Sequence, residues 1–122
     1  MILAGLMVAG ALGAVLRFLV DRTVQGRSPW DFPAGILVVN VSGCLVLGTL
    51  TGAALHHDLA AGWLVVLGTG LIGAYTTFST FTYDTVRLLG SDSPGEGLVN
   101  ILVSVGAGLA AAAAGLALGG VL

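Results

Sequence analysis

Ionisable side chains are almost absent from four long stretches of this chain, and that absence constrains the fold more than any motif does. Residues 2–20 hold one charge, Arg17, while 34–55, 60–83 and 97–120 hold none. A helix crosses the hydrocarbon of a bilayer with about 20 apolar residues, so each stretch is long enough to span. Four spans take about 80 residues of the 122. Three short loops and the ends share the rest, which leaves no room for an extramembrane domain. The chain therefore reads as one all-α transmembrane domain over residues 1–122, multi-pass in the cell membrane, whose work is done inside the lipid bilayer. Charged residues make up 8% of it, against roughly 25% in soluble domains. Four arginines and no lysine face six acids, which excludes nucleic-acid binding, a process that needs cations to neutralise phosphates. The lone cysteine, Cys44, excludes a disulfide framework and a thiolate metal cluster and reads as a small packing residue. No Lys or Arg precedes the first apolar stretch, so it is expected to be a retained span rather than a cleaved signal peptide.

The turns fall at 21–33, with Gly26, Pro29 and Pro33; at His56-His57-Asp58; and at 88–96, with Gly90, Pro94 and Gly95. Four spans put the first and third loops on one side. Arg22, Arg27 and Arg87 all lie there, so that side is expected to be cytoplasmic, with both termini outside. Adjacent histidines point apart on most backbones, so the second loop reads as a solvated turn rather than a zinc site. Twenty glycines, most of them within the spans, allow close helix packing, and Ala9/Gly13, Gly48/Gly52 and Ala111/Gly115 have the small-xxx-small spacing. Four short helices enclose little by themselves, so a pore or transport route implies at least a dimer.

Polar groups inside hydrocarbon are functional candidates by default. The densest run is Gly73-Ala74-Tyr75-Thr76-Thr77-Phe78-Ser79-Thr80-Phe81-Thr82-Tyr83-Asp84. Its hydroxyls compete for backbone hydrogen bonds and open a helix, and three glycines (68, 70, 73) precede them. A helix broken near the middle of the third span is therefore expected, and the freed carbonyls of such a break can bind a cation. The run begins about 24 Å along the span at 1.5 Å per residue, too deep for Thr76 to be a helix end emerging into headgroups. Asn40 offers amide donors to an anion or an interhelical bond. Arg17 either snorkels to the headgroups or lends positive potential to an anion entrance. Asn100 reads as a helix-terminal asparagine, and Ser104 either lines a pathway or bonds its own preceding turn.

No Asp, Glu, Lys or His lies deep in any span, so proton-coupled export has no titratable group to run on. No nucleophile–base set, phosphate loop or carboxylate pair is present, so the chain is not expected to be an enzyme. Donors, one arginine and aromatic rings, whose edges carry partial positive charge, suit a small anion crossing passively.

Three motifs then resemble those of the Fluc/CrcB fluoride channels, over essentially the whole chain. They are Gly10-Ala11-Leu12-Gly13-Ala14-Val15-Leu16-Arg17-Phe18, Gly35 to Asn40 with Gly43 and Gly48, and Gly73 to Phe81, whose TTFSTF core is highly specific. The resemblance implies a dual-topology protein forming an antiparallel homodimer with two fluoride pores. Asn40, Phe78 and Phe81 would line the path, and Thr80 and Ser104 would add hydroxyls. Backbone carbonyls of Gly73 and Thr76 from both subunits would hold one structural Na⁺ that is not transported, and Arg17 would sit by an aqueous vestibule. The implied role is passive export of fluoride that enters an acidified cell surface as hydrogen fluoride.

Two positions depart from the family pattern. Ile36 stands where a threonine often precedes the pore asparagine, and Asn100 stands where an aromatic can precede the last-span serine. The arginine bias exceeds what dual topology leads one to expect, so a heterodimer with an oppositely oriented homologue is the second assembly expected. A small four-helix multidrug or guanidinium exporter would need a glutamate in the first span, which has none. An accessory membrane subunit would use the hydroxyls of the third span only as interhelical glue.

Overall fold

Each apolar stretch turns helical, the third with a break inside it, and most of these helices run on past the apolar stretch into polar sequence. The computed structural model describes residues 1–57 and 60–122. Helix α1 is Ile2–Gln25 and α2 is Ala34–His56. The third span begins as α3, residues 61–75, in which Ala61–Trp63 and Gly73–Tyr75 flank a π-helical stretch, Leu64–Ile72. It resumes as α4, Phe78–Leu89, and α5 is Pro94–Val121. Four apolar helices long enough to cross a membrane result, with no strand among the described residues. The expected spans lengthen: α1 reaches Gln25, the third span reaches Leu89, and α5 starts at Pro94, a residue suited to a first helical turn. Of the second-loop cluster, Asp58 lies outside the described residues, and His56 Nδ1 lies 2.9 Å from the Gly52 carbonyl.

The helices associate as two parallel pairs, α1 with α3 and α2 with α5. Gly5 faces Val66 and Gly13 faces Leu71, while Gly48 faces Ala112 and Gly52 faces Leu116. Parallel pairing is what alternation of four spans requires of first with third and second with fourth. Side chains are missing where the backbones touch. A Cβ at Gly48 would overlap the Ala112 carbonyl, and one at Gly115 would overlap the Leu45 carbonyl. Ala9/Gly13 and Gly48/Gly52 pack as the spacing predicts. On α5, however, the buried pair is Gly115 and Gly119, not Ala111 and Gly115. One turn further along, the helix meets Thr49, whose carbonyl leaves no space for a side chain at 119.

The third span breaks at Thr76 and Thr77, whose backbones are extended (φ −78°, ψ 159° and φ −148°, ψ 123°). Thr77 restarts the helix as its N-cap, its hydroxyl accepting from Thr80 N at 3.3 Å. At the membrane end, the Gln25 side chain closes the first loop. Its Nε2 donates to the Phe32 carbonyl at 3.1 Å, and its Oε1 accepts from Gly35 N at 3.2 Å, so one amide also satisfies an open N–H at the start of α2.

Candidate functional site

The break is held by one side chain. Asn40, on α2, meets both backbone groups of Thr77: its Nδ2 donates to the Thr77 carbonyl at 3.0 Å, and Thr77 N donates to Asn40 Oδ1 at 2.9 Å. Thr77 is 7% exposed, so its polar groups have little water to turn to. The Asn40 amide replaces the helical hydrogen bonds that the extended residues give up. Gly43, one turn along α2, has no side chain to collide with Thr76 as the break approaches. The interhelical-bond reading and the donor reading of Asn40 coexist, since Nδ2 carries a second hydrogen with no partner among the described residues. Asn40 lines a cavity of about 240 Å³ walled also by Cys44, Ile72, Thr76, Thr77 and Phe78.

The same arrangement strips two carbonyls. The N–H groups that would close the next turns are used elsewhere: Thr77 N by Asn40, and Thr80 N by the Thr77 hydroxyl. Their helical acceptors four residues back are Gly73 and Thr76, so those two carbonyl oxygens lose their i→i−4 partners. Both belong to the cation site that the resemblance implies, and bare carbonyl oxygens are ligands that suit a hard cation.

Hydroxyl hydrogens sort the remaining candidates. Thr76 Oγ1 donates to the Ile72 carbonyl at 3.0 Å, Thr82 Oγ1 to Phe78 at 2.9 Å and Thr85 Oγ1 to Phe81 at 2.8 Å. Thr77 Oγ1 donates to Thr80 Oγ1 at 3.1 Å, which leaves the Thr80 hydrogen without a partner among the described residues. Thr80 opens on a second cavity, about 330 Å³, lined by Asp21, Gln25, Asp31, Ile36, Asp84 and Arg87. Ile36 thus presents methyl groups where a threonine would present a hydroxyl. The Phe78 and Phe81 rings lie 5.9 Å apart, tilted by 47°, and Phe78 is 79% exposed on the isolated chain.

Ser104 stands apart from both cavities. Its hydroxyl bonds the Asn100 side chain at 3.2 Å rather than a backbone carbonyl of the preceding turn. Asn100 corrects the sequence reading more sharply. It is 1% exposed and lies well inside α5, because Pro94 starts that helix a turn early. Arg17 is half-buried on α1 and lines neither cavity. The arginine at the Thr80 cavity is Arg87, which sequence reasoning counted only as loop charge. Its Nη1 lies 2.8 Å from Asp31 and its Nε 3.8 Å from Asp84. The pair with Asp31 joins the first loop to the end of α4, so these two ends share one side. Thr77, Asp31 and Arg87 carried no periodic signal; their roles depend on which helix ends the fold brings together.

Comparison with known proteins adds a lineage to this geometry. A family model described as CrcB-like protein, Camphor Resistance (CrcB), matches residues 4–116. Fluoride-specific ion channel FluC 1 of Streptomyces avermitilis is 49% identical over 112 residues, covering 91% of this chain and 90% of that protein. Fluoride-specific ion channel FluC 2 of Mycobacterium bovis is 50% identical over 111 residues, covering 91% and 85%. Fluoride-specific ion channel FluC 1 of Leifsonia xyli subsp. xyli is 42% identical over 120 residues, covering 98% and 88%.

Proposed function

Since the chain belongs to the CrcB-like protein family, we propose that it is a fluoride-specific ion channel, a multi-pass membrane protein through which cytoplasmic fluoride leaves passively. The observation that carries this reading is the donor set at the break. Fluoride is small, hard and strongly hydrated, and a pathway must replace its water with hydrogen-bond donors. Asn40 and Thr80 each keep a hydrogen for that purpose, on two separate cavities, and Phe78, whose ring pairs with Phe81, walls the first of them. No carboxylate lines the cavity beside Asn40, so nothing there binds a proton in exchange or repels an anion, and at the Thr80 cavity Arg87 faces the carboxylates of Asp31 and Asp84. The absence of a glutamate from the first span separates the chain from a multidrug or guanidinium exporter. Purified protein in liposomes loaded with potassium fluoride should release fluoride when valinomycin dissipates the counter-potential, and chloride far more slowly. Absence of selective release would sink the channel reading.

The working unit in this reading is an antiparallel homodimer, or a heterodimer with an oppositely oriented homologue. The exposed Phe78 and the half-open cavity beside Asn40 support a second subunit completing the path. Gly73 and Thr76 carbonyls from both subunits would hold a structural Na⁺, which when bound offsets the negative ends of the converging carbonyl dipoles. This chain's part is to keep those oxygens bare, through Asn40 and the Thr77 cap. Replacing all Na⁺ by N-methyl-D-glucamine should lower fluoride efflux several-fold or loosen the dimer. Equal efflux and an intact dimer in both cations would count against the site.

A further inference from the structure

Six hydroxyls in the spans dispose of their hydrogens in one way. Ser42, Thr49, Thr51, Thr76, Thr82 and Thr85 each donate to the carbonyl four residues back, at 2.7–3.0 Å. Thr69, in the π-helical stretch Leu64–Ile72, spends its hydrogen on no partner among the described residues. In a π-helix the backbone bonds five residues back, so the carbonyl four back no longer lies in line with the hydroxyl. The stretch is otherwise wholly apolar and sits in hydrocarbon, where an unpaired hydroxyl is costly. Thr69 is nevertheless exposed on the isolated chain, as are Val65 and Gly73, one turn before it and one turn after. The group that satisfies it therefore comes from outside the chain.

The same stripe indicates what that group is. Gly73, and Thr76 a turn beyond it, carry the carbonyl oxygens that lost their helical partners, so one face holds an unspent donor beside unspent acceptors. A second copy of the chain presents the same set. A surface that carries both halves of a bond is self-complementary, as a twofold interface must be. The half-open cavity beside Asn40 shares Thr76 with this face. We infer that Thr69 is an interface residue, whose hydroxyl is donated to a second copy of this chain on the face that carries the Gly73 and Thr76 carbonyls. The inference rests on the homodimer reading. Threonine bonds of this kind join helices inside membranes, and twofold symmetry makes each one twice.

Thr69→Val keeps the shape of the side chain and removes the hydroxyl. Energy transfer between donor-labelled and acceptor-labelled copies, diluted stepwise into lipid bilayers, measures the consequence. The dissociation constant should rise about tenfold, equivalent to ~1.4 kcal/mol, and Thr69→Ser, which keeps the donor, should restore the wild-type value. A valine variant that associates like the wild type overturns the inference: the hydroxyl then meets lipid if fluoride efflux is unchanged, or the ion if efflux falls. A serine variant as weak as the valine one also overturns it, since the methyl group and not the hydroxyl would then matter. A measurement without loss of the threonine covers a variant that fails to fold. A diazirine-bearing residue at position 65, one turn away and exposed, should link to the second copy on irradiation. Adducts with lipid alone overturn the inference. A wild type that stays monomeric at every dilution refutes the homodimer reading itself, whereas a wild-type dimer indifferent to Thr69→Val sinks the inference alone.

Discussion

Asn40→Leu is expected to abolish fluoride efflux and to destabilise the fold at the same time. The side chain makes both polar contacts of a buried extended residue, Thr77. A leucine of comparable size fills the space and leaves one N–H and one carbonyl unmade. Each such group costs about 1–3 kcal/mol, so the pair costs about 2–6 kcal/mol, a large share of the stability of a small protein. The pathway also loses its remaining amide hydrogen. Asn40→Asp separates the two effects in part. It keeps an acceptor for Thr77 N but sets a carboxylate against the Thr77 carbonyl and a negative charge in the anion cavity, so efflux should fail there even where the protein still assembles. Thermal unfolding in detergent and efflux from liposomes measure both. A leucine variant that melts and conducts like the wild type would show that Asn40 neither clamps the break nor serves the ion.

Phe81→Ile is the second large effect, and it should be the opposite in kind: loss of flux without loss of assembly. Phe81 is half-buried, and its contribution to the fold runs through its carbonyl, which accepts from Thr85 and survives any side-chain change. What isoleucine removes is the ring, with its positive edge and its partner Phe78 at 5.9 Å. Efflux should fall by at least about tenfold, corresponding to ~1.4 kcal/mol at the barrier, while size-exclusion chromatography reports the same assembly state as the wild type. Efflux at the wild-type rate would remove Phe81 from the pathway.

These two positions also mark how far sequence reading reaches. The break was legible because threonines and serines follow glycines at a depth where hydrocarbon admits no open backbone. The helical spans were legible from charge alone. Gly48 and Gly52 announced their close packing by spacing. Asn40 was legible as a polar residue out of place, but its partner, 37 positions away, was not, since no local rule connects α2 to Thr77. Asn100 was misread, because a start at Pro94 instead of 97 moves it from the end of a helix to its interior. Arg87 counted only toward the sidedness of the loops and Asp31 carried no assignment, because nothing in either segment says that they meet.

The sequence by itself therefore determined the class of molecule: four spans with a single charge among them, Arg17, one span interrupted, and no Asp, Glu, Lys or His deep in any of them, hence a passive route for an anion. Those properties follow from the cost of charge and of unpaired backbone in lipid, a cost paid residue by residue and so visible residue by residue. Only the tertiary structure decided which hydrogens are available. Whether a hydroxyl or amide can serve an ion depends on where its hydrogen already points. Asn40 and Thr80 keep one, while Ser104 lends its hydrogen to Asn100, and these distinctions arise between helices that no local pattern brings together.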